Sequence, residues 1–272
     1  NNKNRAFVSL SGGSKVEQFN PSLTSLPLLN TSYSLWFEKN YLKLYDRSFV
    51  QLNYNQELVN GLHLYSNLSY NNRKSLFNTT DQAWYPKADR VYTSNNPVNP
   101  TAYGVSSFAN HHIYKLNLNT RINFGQNYLS YPNGKYNIPN SKIPTLFLGY
   151  EKGFGSSISN YNFDLFKAQL YQNVNLSNKG DLTYFLKAGV FNNAENIAFM
   201  DYHHFNGNQT NIVMDGNYIN SFKILPYYDL STNNNYAEIH AEHNFKGYIL
   251  NKIPLIALRN RKIFACGTHF VR

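Results

Sequence analysis

The sequence predicts an all-β, antiparallel fold, and three observations predict it. Apolar residues recur at every second position over long segments, the spacing that puts them on one side of a strand. Tight-turn sequences separate neighbouring segments. Charged residues are only 15% of the chain, against ~25% in a typical soluble domain. Polarity therefore comes from amide and hydroxyl side chains, with Tyr (23) and Phe (19) dominating the aromatic content. Ala, Glu and Arg are scarce, while Asn, Gly, Pro and Ser interrupt nearly every stretch, which excludes a helical bundle.

In chain order, two short candidate strands come first, at 5–11 and 31–37. Between 48 and 59, Val50, Leu52, Tyr54 and Leu58 alternate with Gln51, Asn53, Asn55 and Glu57. Asn60-Gly61 follows, a dipeptide that favours a type I′ hairpin turn because both residues tolerate positive φ. Leu62, Leu64, Leu68 and Tyr70 then continue the alternation. Tyr114, Leu116, Leu118, Ile122 and Phe124 stand opposite Lys115, Asn117, Asn119, Arg121 and Asn123. A strand is expected at 145–152. Phe166 to Leu176 and Leu182 to Val190 flank the tight turn Asn178-Lys179-Gly180. Ala237, Ile239, Ala241 and Phe245 alternate with Glu238, His240, Glu242 and Asn244, and a last strand is expected at 262–271. The total is about ten strands.

Alternation by itself suits both a soluble barrel with apolar side chains inside and a membrane barrel with them outside. Three features favour the second. In the best strands the apolar phase carries no charge, as expected where a mid-bilayer cation would cost ~2–4 kcal/mol. The opposite phase mixes Asn, Gln, Lys, Glu and His, which suits a water-filled or plugged lumen. Several strands reach the ~9–11 residues that cross a bilayer at a tilt. Connection lengths add a parity argument. Counted from a strand at 31–37, the connections 38–47, 71–111, 153–162 and 192–235 fall on one side. Those at 60–61, 125–144, 178–180 and 247–261 fall on the other. Both tight turns share one side and both very long loops the other, the asymmetry of a transmembrane β-barrel with long extracellular loops. The expected location is the bacterial outer membrane.

Lys and Arg exceed Asp and Glu, for a net charge of +10. The basic residues are scattered without a dense block, so no nucleic acid partner is expected. Outer-membrane lipid, lipopolysaccharide and envelope proteins remain as expected partners. Cys266 is the single cysteine, which excludes an internal disulfide and a Cys-based zinc site. No window approaches the ~18 apolar residues of a membrane helix. The chain starts without Met, and residues 1–272 are expected to be a single barrel segment cut from a longer protein at both ends.

The segments 36–45 (WFEKNYLKLY), 71–80 (NNRKSLFNTT), 92–97 (YTSNNP), 201–209 (DYHHFNGNQ) and 236–254 (YAEIHAEHNFKGYILNKIP) carry a resemblance. They resemble the C-terminal region of Bacteroidota outer-membrane proteins in which a carboxypeptidase-like regulatory domain precedes a β-barrel of unknown function. The likeness extends to about residue 256. More distantly, 131–144 and the turn 251–254 look like periplasmic turns of the outer-membrane assembly and translocation superfamily, whose barrels have sixteen strands. That resemblance implies that the loop 192–235 is a lid folded back into the lumen, with Asp201, His203, His204, Phe205 and Gly207 on it. It also implies about three further strands before residue 5 and three after residue 271. The superfamily's Arg-Gly signature is absent; Phe205-Asn206-Gly207 stands nearby.

Candidate chemistry is sparse. His240 and His243 point to opposite faces of a strand and cannot share a metal. Glu238, His240 and Glu242 share a face and form a candidate lumenal polar stripe. Asp201, His203 and His204 admit an outer-membrane hydrolase, but no serine or second acid stands at a spacing that fixes a nucleophile and its base. No P-loop, G-x-S-x-G or H-E-x-x-H motif is present, and no catalytic residue, metal or cofactor is expected. Lys39, Lys43, Arg47, Arg73, Lys74, Lys87 and Arg90 in the outer loops suit either lipopolysaccharide phosphates or a solvated surface. The function expected is a non-catalytic barrel in envelope assembly, translocation or transport. The competing readings are a secreted soluble β-protein that binds glycan and an outer-membrane hydrolase.

Overall fold

The computed structural model describes residues 6–22, 26–132, 134–138, 142–210, 218–249, 252 and 264–271. In chain order its elements are β1 (Phe7–Gln18), α1 (Pro27–Phe37), β2 (Leu44–Val59), β3 (Leu62–Ser75), β4 (His111–Asn123), β5 (Asn127–Tyr131), β6 (Gly134–Ile138), β7 (Thr145–Phe154), β8 (Phe163–Asn175), β9 (Asp181–Asn192), β10 (Tyr236–Asn244) and β11 (Phe264–Val271). Nine strands make one antiparallel sheet in the order β1-β2-β3-β4-β7-β8-β9-β10-β11, while β5 and β6 pair only with each other. Every strand of the large sheet therefore lies beside its neighbours in the chain. The sheet is open, with β1 and β11 at its edges.

The segment 31–37 is not a strand. It belongs to α1, and local chemistry explains why. Pro27 sits at the helix start, where its fixed φ suits a first turn and its missing N–H costs nothing. The hydroxyls of Thr31 and Ser32 donate back to the carbonyls of Pro27 and Leu28. Tyr33 and Phe37 meet one turn apart with ring centroids at 5.6 Å, so their spacing serves a helix as well as a strand. Glu38 ends the helix in the left-handed region and donates its N–H to Ser34 O. The first strand runs to Gln18, well past the expected residue 11, and pairs directly with β2 along its whole length.

Asn60-Gly61 does join β2 to β3, but not through a type I′ turn. Positive φ is confined to Gly61 (+85°), and Asn60 is not among the residues with positive φ. The Asn60 side chain is committed elsewhere: its amide donates to Gln126 O and its carbonyl accepts from Gln126 Nε2. A register shift between Glu57 and Val59 accompanies the turn. A Cβ at position 61 would lie 2.5 Å from Asn123 O, so glycine is required sterically as well. The expected connection 125–144 contains the β5–β6 hairpin. The expected connection 247–261 lies mostly outside the described residues.

Because adjacent strands are antiparallel, their connections sort to two ends of the sheet. The connections 19–43, 76–110, 155–162 and 193–235 emerge at one, here the loop end. The connections 60–61, 124–144 and 176–180 lie at the other, the turn end, where β10 also ends and β11 begins. The exchange of a 31–37 strand for a helix replaces the expected 38–47 connection by 19–43 and leaves the later connections on their expected sides. The buried core lies on one face of the sheet near the loop end. Ile113, Phe163, Leu165, Phe191 and Tyr236 from four strands pack there against Ala194, Ile197, Phe205 and Phe222 of the 193–235 connection. A second cluster joins Phe19, Tyr45 and Phe108 to Ala198, Met200, Tyr227 and Tyr228 of the same connection.

Candidate functional site

Period-two alternation gives the large sheet two chemically different faces. One carries Val50, Leu52, Leu68, Tyr70, Tyr114, Leu118, Leu148, Phe166, Leu186, Val190 and Ile239, all exposed. Cross-strand register aligns these side chains in rows, as in Val50–Tyr70–Tyr114–Phe154 and Leu146–Leu170–Leu186–Ile239. Lys152 and Asp164 interrupt this face near the loop end and neutralise each other at 2.9 Å. The opposite face is rich in Asn, Gln and charge, and the 193–235 connection covers its loop-end half.

Two ion clusters fasten that connection. In the first, Arg73 on β3 donates from Nη1 and Nη2 to the two carboxylate oxygens of Asp201, at 2.5 and 3.0 Å. Lys115 on β4 reaches Asp201 at 2.9 Å and also pairs with Glu151 on β7, which accepts from Lys167 on β8 at 2.8 Å. The Asp201 side chain is completely buried. Burial works to raise its pKa, but the Arg73 and Lys115 charges and hydrogen bonds hold it well below the usual carboxylate range. A buried carboxylate stays ionised only with such compensation.

In the second cluster, Glu238 on β10 faces Lys187 on β9 at 3.2 Å, His240 Nε2 at 2.9 Å and His203 Nε2 at 3.4 Å. The His203 ring stacks on Tyr236 with centroids 3.5 Å apart and planes within 5°. Tyr236 can lie flat because its cross-strand neighbour is Gly189, where a Cβ would come within 2.3 Å of the ring. Backbone hydrogen bonds between His203 and Thr232 close the base of the connection. Burial lowers the His203 pKa despite Glu238 nearby.

The predicted residues are thus divided among several roles. Glu238 and His240 are neighbours in one buried cluster, whereas Glu242 is half-buried on the same face and takes no ion pair or hydrogen bond among the described residues. Asp201 and His203 belong to different clusters. His204 Nδ1 lies 2.7 Å from Ser231 Oγ, a pair that sequence spacing did not suggest. Ser231 donates its hydroxyl proton to Tyr228 O, and both side chains are buried, so the pair ties the connection together without presenting a nucleophile. Burial pushes the His204 pKa down to about 3. Phe205 is fully buried between Phe222, His203 and Tyr236. Gly207 forms a bridge with Phe222 and leaves no room for a Cβ beneath Leu225 O. Asn60 and Gly61 lie at the turn end, where Glu57 accepts from Gly61 N and from Lys135 of β6.

The basic residues expected on an outer surface also separate. Lys43 and Arg73 are buried, and Arg47 is held by Glu17 and Asn71. Of the seven, Lys39, Lys74 and Lys87 are exposed and Arg90 is half-buried. The assignment of Arg73 to a loop surface is corrected because β3 continues to Ser75 and turns that side chain onto the covered face. Lys115, Glu151, Lys167 and Lys187 are site residues that sequence reasoning does not single out, and Arg73 is one to which it gives a different role. Each stands on the polar phase of its strand, but only the partners on neighbouring strands single them out. Among the described residues, no three His, Cys, Asp or Glu side chains form a metal-holding group, and no helix is long and apolar enough to cross a membrane.

Fold and site define a class: a meander of antiparallel strands with one uncovered apolar face and one polar face on which a long connection is fastened. A family profile described as the C-terminal domain of a family of unknown function, DUF5686, matches residues 1–271, and the chain belongs to this family. No curated protein and no solved structure matches it.

Proposed function

We propose that the chain is part of a transmembrane β-barrel in the outer membrane of a Bacteroidota-type bacterium, where it serves envelope assembly, translocation or transport without catalysing a reaction. The uncovered apolar face carries this reading. On β4 it extends from Tyr114 to Ile122, eight steps of ~3.4 Å, or ~27 Å along the strand; tilted by ~40° this is ~20 Å, close to the ~25 Å apolar band of membrane barrels. Tyr70, Tyr114 and Phe154 stand side by side at the loop end of the band, and exposed Phe124, Tyr128 and Tyr131 lie towards the turn end. Aromatic side chains are favoured at both membrane–water interfaces.

Closure requires strands on the free edges of β1 and β11, since an open edge in lipid leaves backbone groups unsatisfied. In the closed barrel the polar face lines the lumen, and 193–235 is a lid held there by Asp201, His203 and the strands beneath. The assembly or translocation role rests on the family resemblance; outer-membrane lipid and lipopolysaccharide are the partners of the surface. The test is gel mobility of the full-length protein in detergent with and without boiling. Faster migration of the unboiled sample is expected of a closed membrane barrel. Identical migration, with solubility independent of detergent, overturns the reading in favour of a secreted soluble protein.

A further inference from the structure

Three connections at the loop end surround a cleft of about 570 Å³, within the ~300–1,000 Å³ of small-molecule sites. Phe37 at the end of α1 and Lys39, Tyr41 and Lys43 after it come from 19–43, Asp89 and Arg90 from 76–110, and Gln209, Tyr228 and Asp229 from 193–235. Lys43 is 5% exposed. Its ammonium donates to Thr93 Oγ1 at 2.7 Å and to the Ser94 carbonyl at 2.6 Å, both neutral acceptors. A lysine has three donors, so one donor and a full charge are left over. Among the described residues no carboxylate lies within ion-pair distance of it, unlike the buried Arg73 and Lys115. Burial brings its pKa down to about 8.

A buried cation normally acquires a counter-charge. Lys43 and its acceptor Thr93 both line the cleft. Three acids line the cleft: Glu38 is buried and accepts from Lys87 N, whereas Asp89 and Asp229 are exposed and are suited to accept hydrogen bonds from hydroxyls. Tyr41 and Phe37 supply aromatic surface, and Asn40 and Gln209 supply amides. A cation on the floor, hydroxyl acceptors at the rim and aromatic walls are the complement of a ring that bears both a carboxylate and several hydroxyls.

We propose that this cleft binds a sugar acid, with the ligand carboxylate on Lys43, its hydroxyls on Asp89, Asp229 and Gln209, and its ring against Tyr41. This site lies apart from the membrane-facing band, and the 193–235 connection contributes Gln209, Tyr228 and Asp229 to it.

The test is isothermal calorimetry on the full-length protein in detergent micelles with D-glucuronate, D-glucose and inorganic phosphate as probes. Glucuronate is expected to bind about tenfold or more tightly than glucose, the ratio that one charge-assisted hydrogen bond supplies, and phosphate is expected not to displace it. Lys43→Met should abolish the preference for the acid, whereas Asp229→Asn, an exposed change that leaves Lys43 untouched, should weaken both sugars equally. If Lys43→Met does not fold, Asp229→Asn and the three probes still decide. Equal binding of glucuronate and glucose, no binding of either, displacement by phosphate, or an Asp229→Asn protein that binds like the wild type overturns the assignment.

Discussion

Arg73 grips both carboxylate oxygens of Asp201 across 128 residues of sequence, and neither side chain has appreciable contact with solvent. The pair joins an inner strand to the early part of the 193–235 connection and fastens that part to the polar face.

Removing one partner leaves the other charge buried and alone. Asp201→Asn is expected to destabilise the docked connection by ~3–5 kcal/mol. Replacing both, Arg73→Met with Asp201→Leu, should cost much less, because no charge is then stranded. Hydrogen exchange of residues 193–210 and 218–235 reads the difference: fast exchange is expected in the single variant and partial protection in the double one. Equal exchange in wild type and Asp201→Asn would show that the pair does not hold the connection.

Acid should loosen the same connection. The folded His204 titrates at about 3 against an ordinary 6.5, and burial lowers His203 as well. Between those values the undocked chain takes up protons that the docked chain refuses, so docking strengthens as pH rises through this window and weakens as pH falls. Asp201 adds to the loss below its ordinary 3.8, since its folded pKa is depressed. Limited proteolysis within 193–235 is expected to accelerate from pH 7 to pH 4, and a His204→Gln variant should flatten the upper part of that response. A rate independent of pH would contradict the burial of both histidines.

Much of this arrangement was legible in the sequence because period two is a local signal. Leu52, Leu68 and Leu118 announce their shared face without any knowledge of strand order, and Asn60-Gly61 announces a reversal. The failures were of two kinds. At 31–37, Tyr33, Leu35 and Phe37 satisfy the strand pattern, while Tyr33 and Phe37 also satisfy the helical one; Pro27 in the first turn and the left-handed Glu38 cap mark the two ends of the helix. The charged clusters are non-local. Arg73, Lys115 and Asp201 are meaningful only after register has brought β3 and β4 together and the connection has folded over them. Nothing in the spacing of Glu238 and Glu242 distinguishes a clamped carboxylate from a free one.

The uncovered apolar face makes a prediction that separates lipid from water. Leu118 sits mid-way along the β4 band and is exposed. If water covers that face, Leu118→Arg changes stability by no more than ~0.5 kcal/mol, as at an ordinary surface position. If acyl chains cover it, the cost is ~2–4 kcal/mol at the bilayer midplane. Equilibrium unfolding by urea of the full-length protein in phospholipid vesicles measures the difference, and Asn117→Arg on the opposite face serves as the control. A cost at Leu118 no larger than at Asn117 would remove the membrane from the account.

Glu238 and Glu242 share a face and differ in their partners, which allows the lid to be tested by conductance. Glu238 touches Lys187, His203 and His240, and its conversion to Ala strands Lys187 and loosens the His203 end of the connection. Glu242 has no such partner among the described residues, and its conversion only removes a half-exposed charge. In planar bilayers, full-length Glu238→Ala is expected to show larger or more frequent openings than wild type, while Glu242→Ala alters ion selectivity more than open frequency. The contrast arises because release of a lid requires loss of a contact to it, whereas selectivity follows the fixed charge along the wall. If both variants conduct as the wild type does, the connection does not gate a pore, and the clusters around Asp201 and Glu238 are then purely structural.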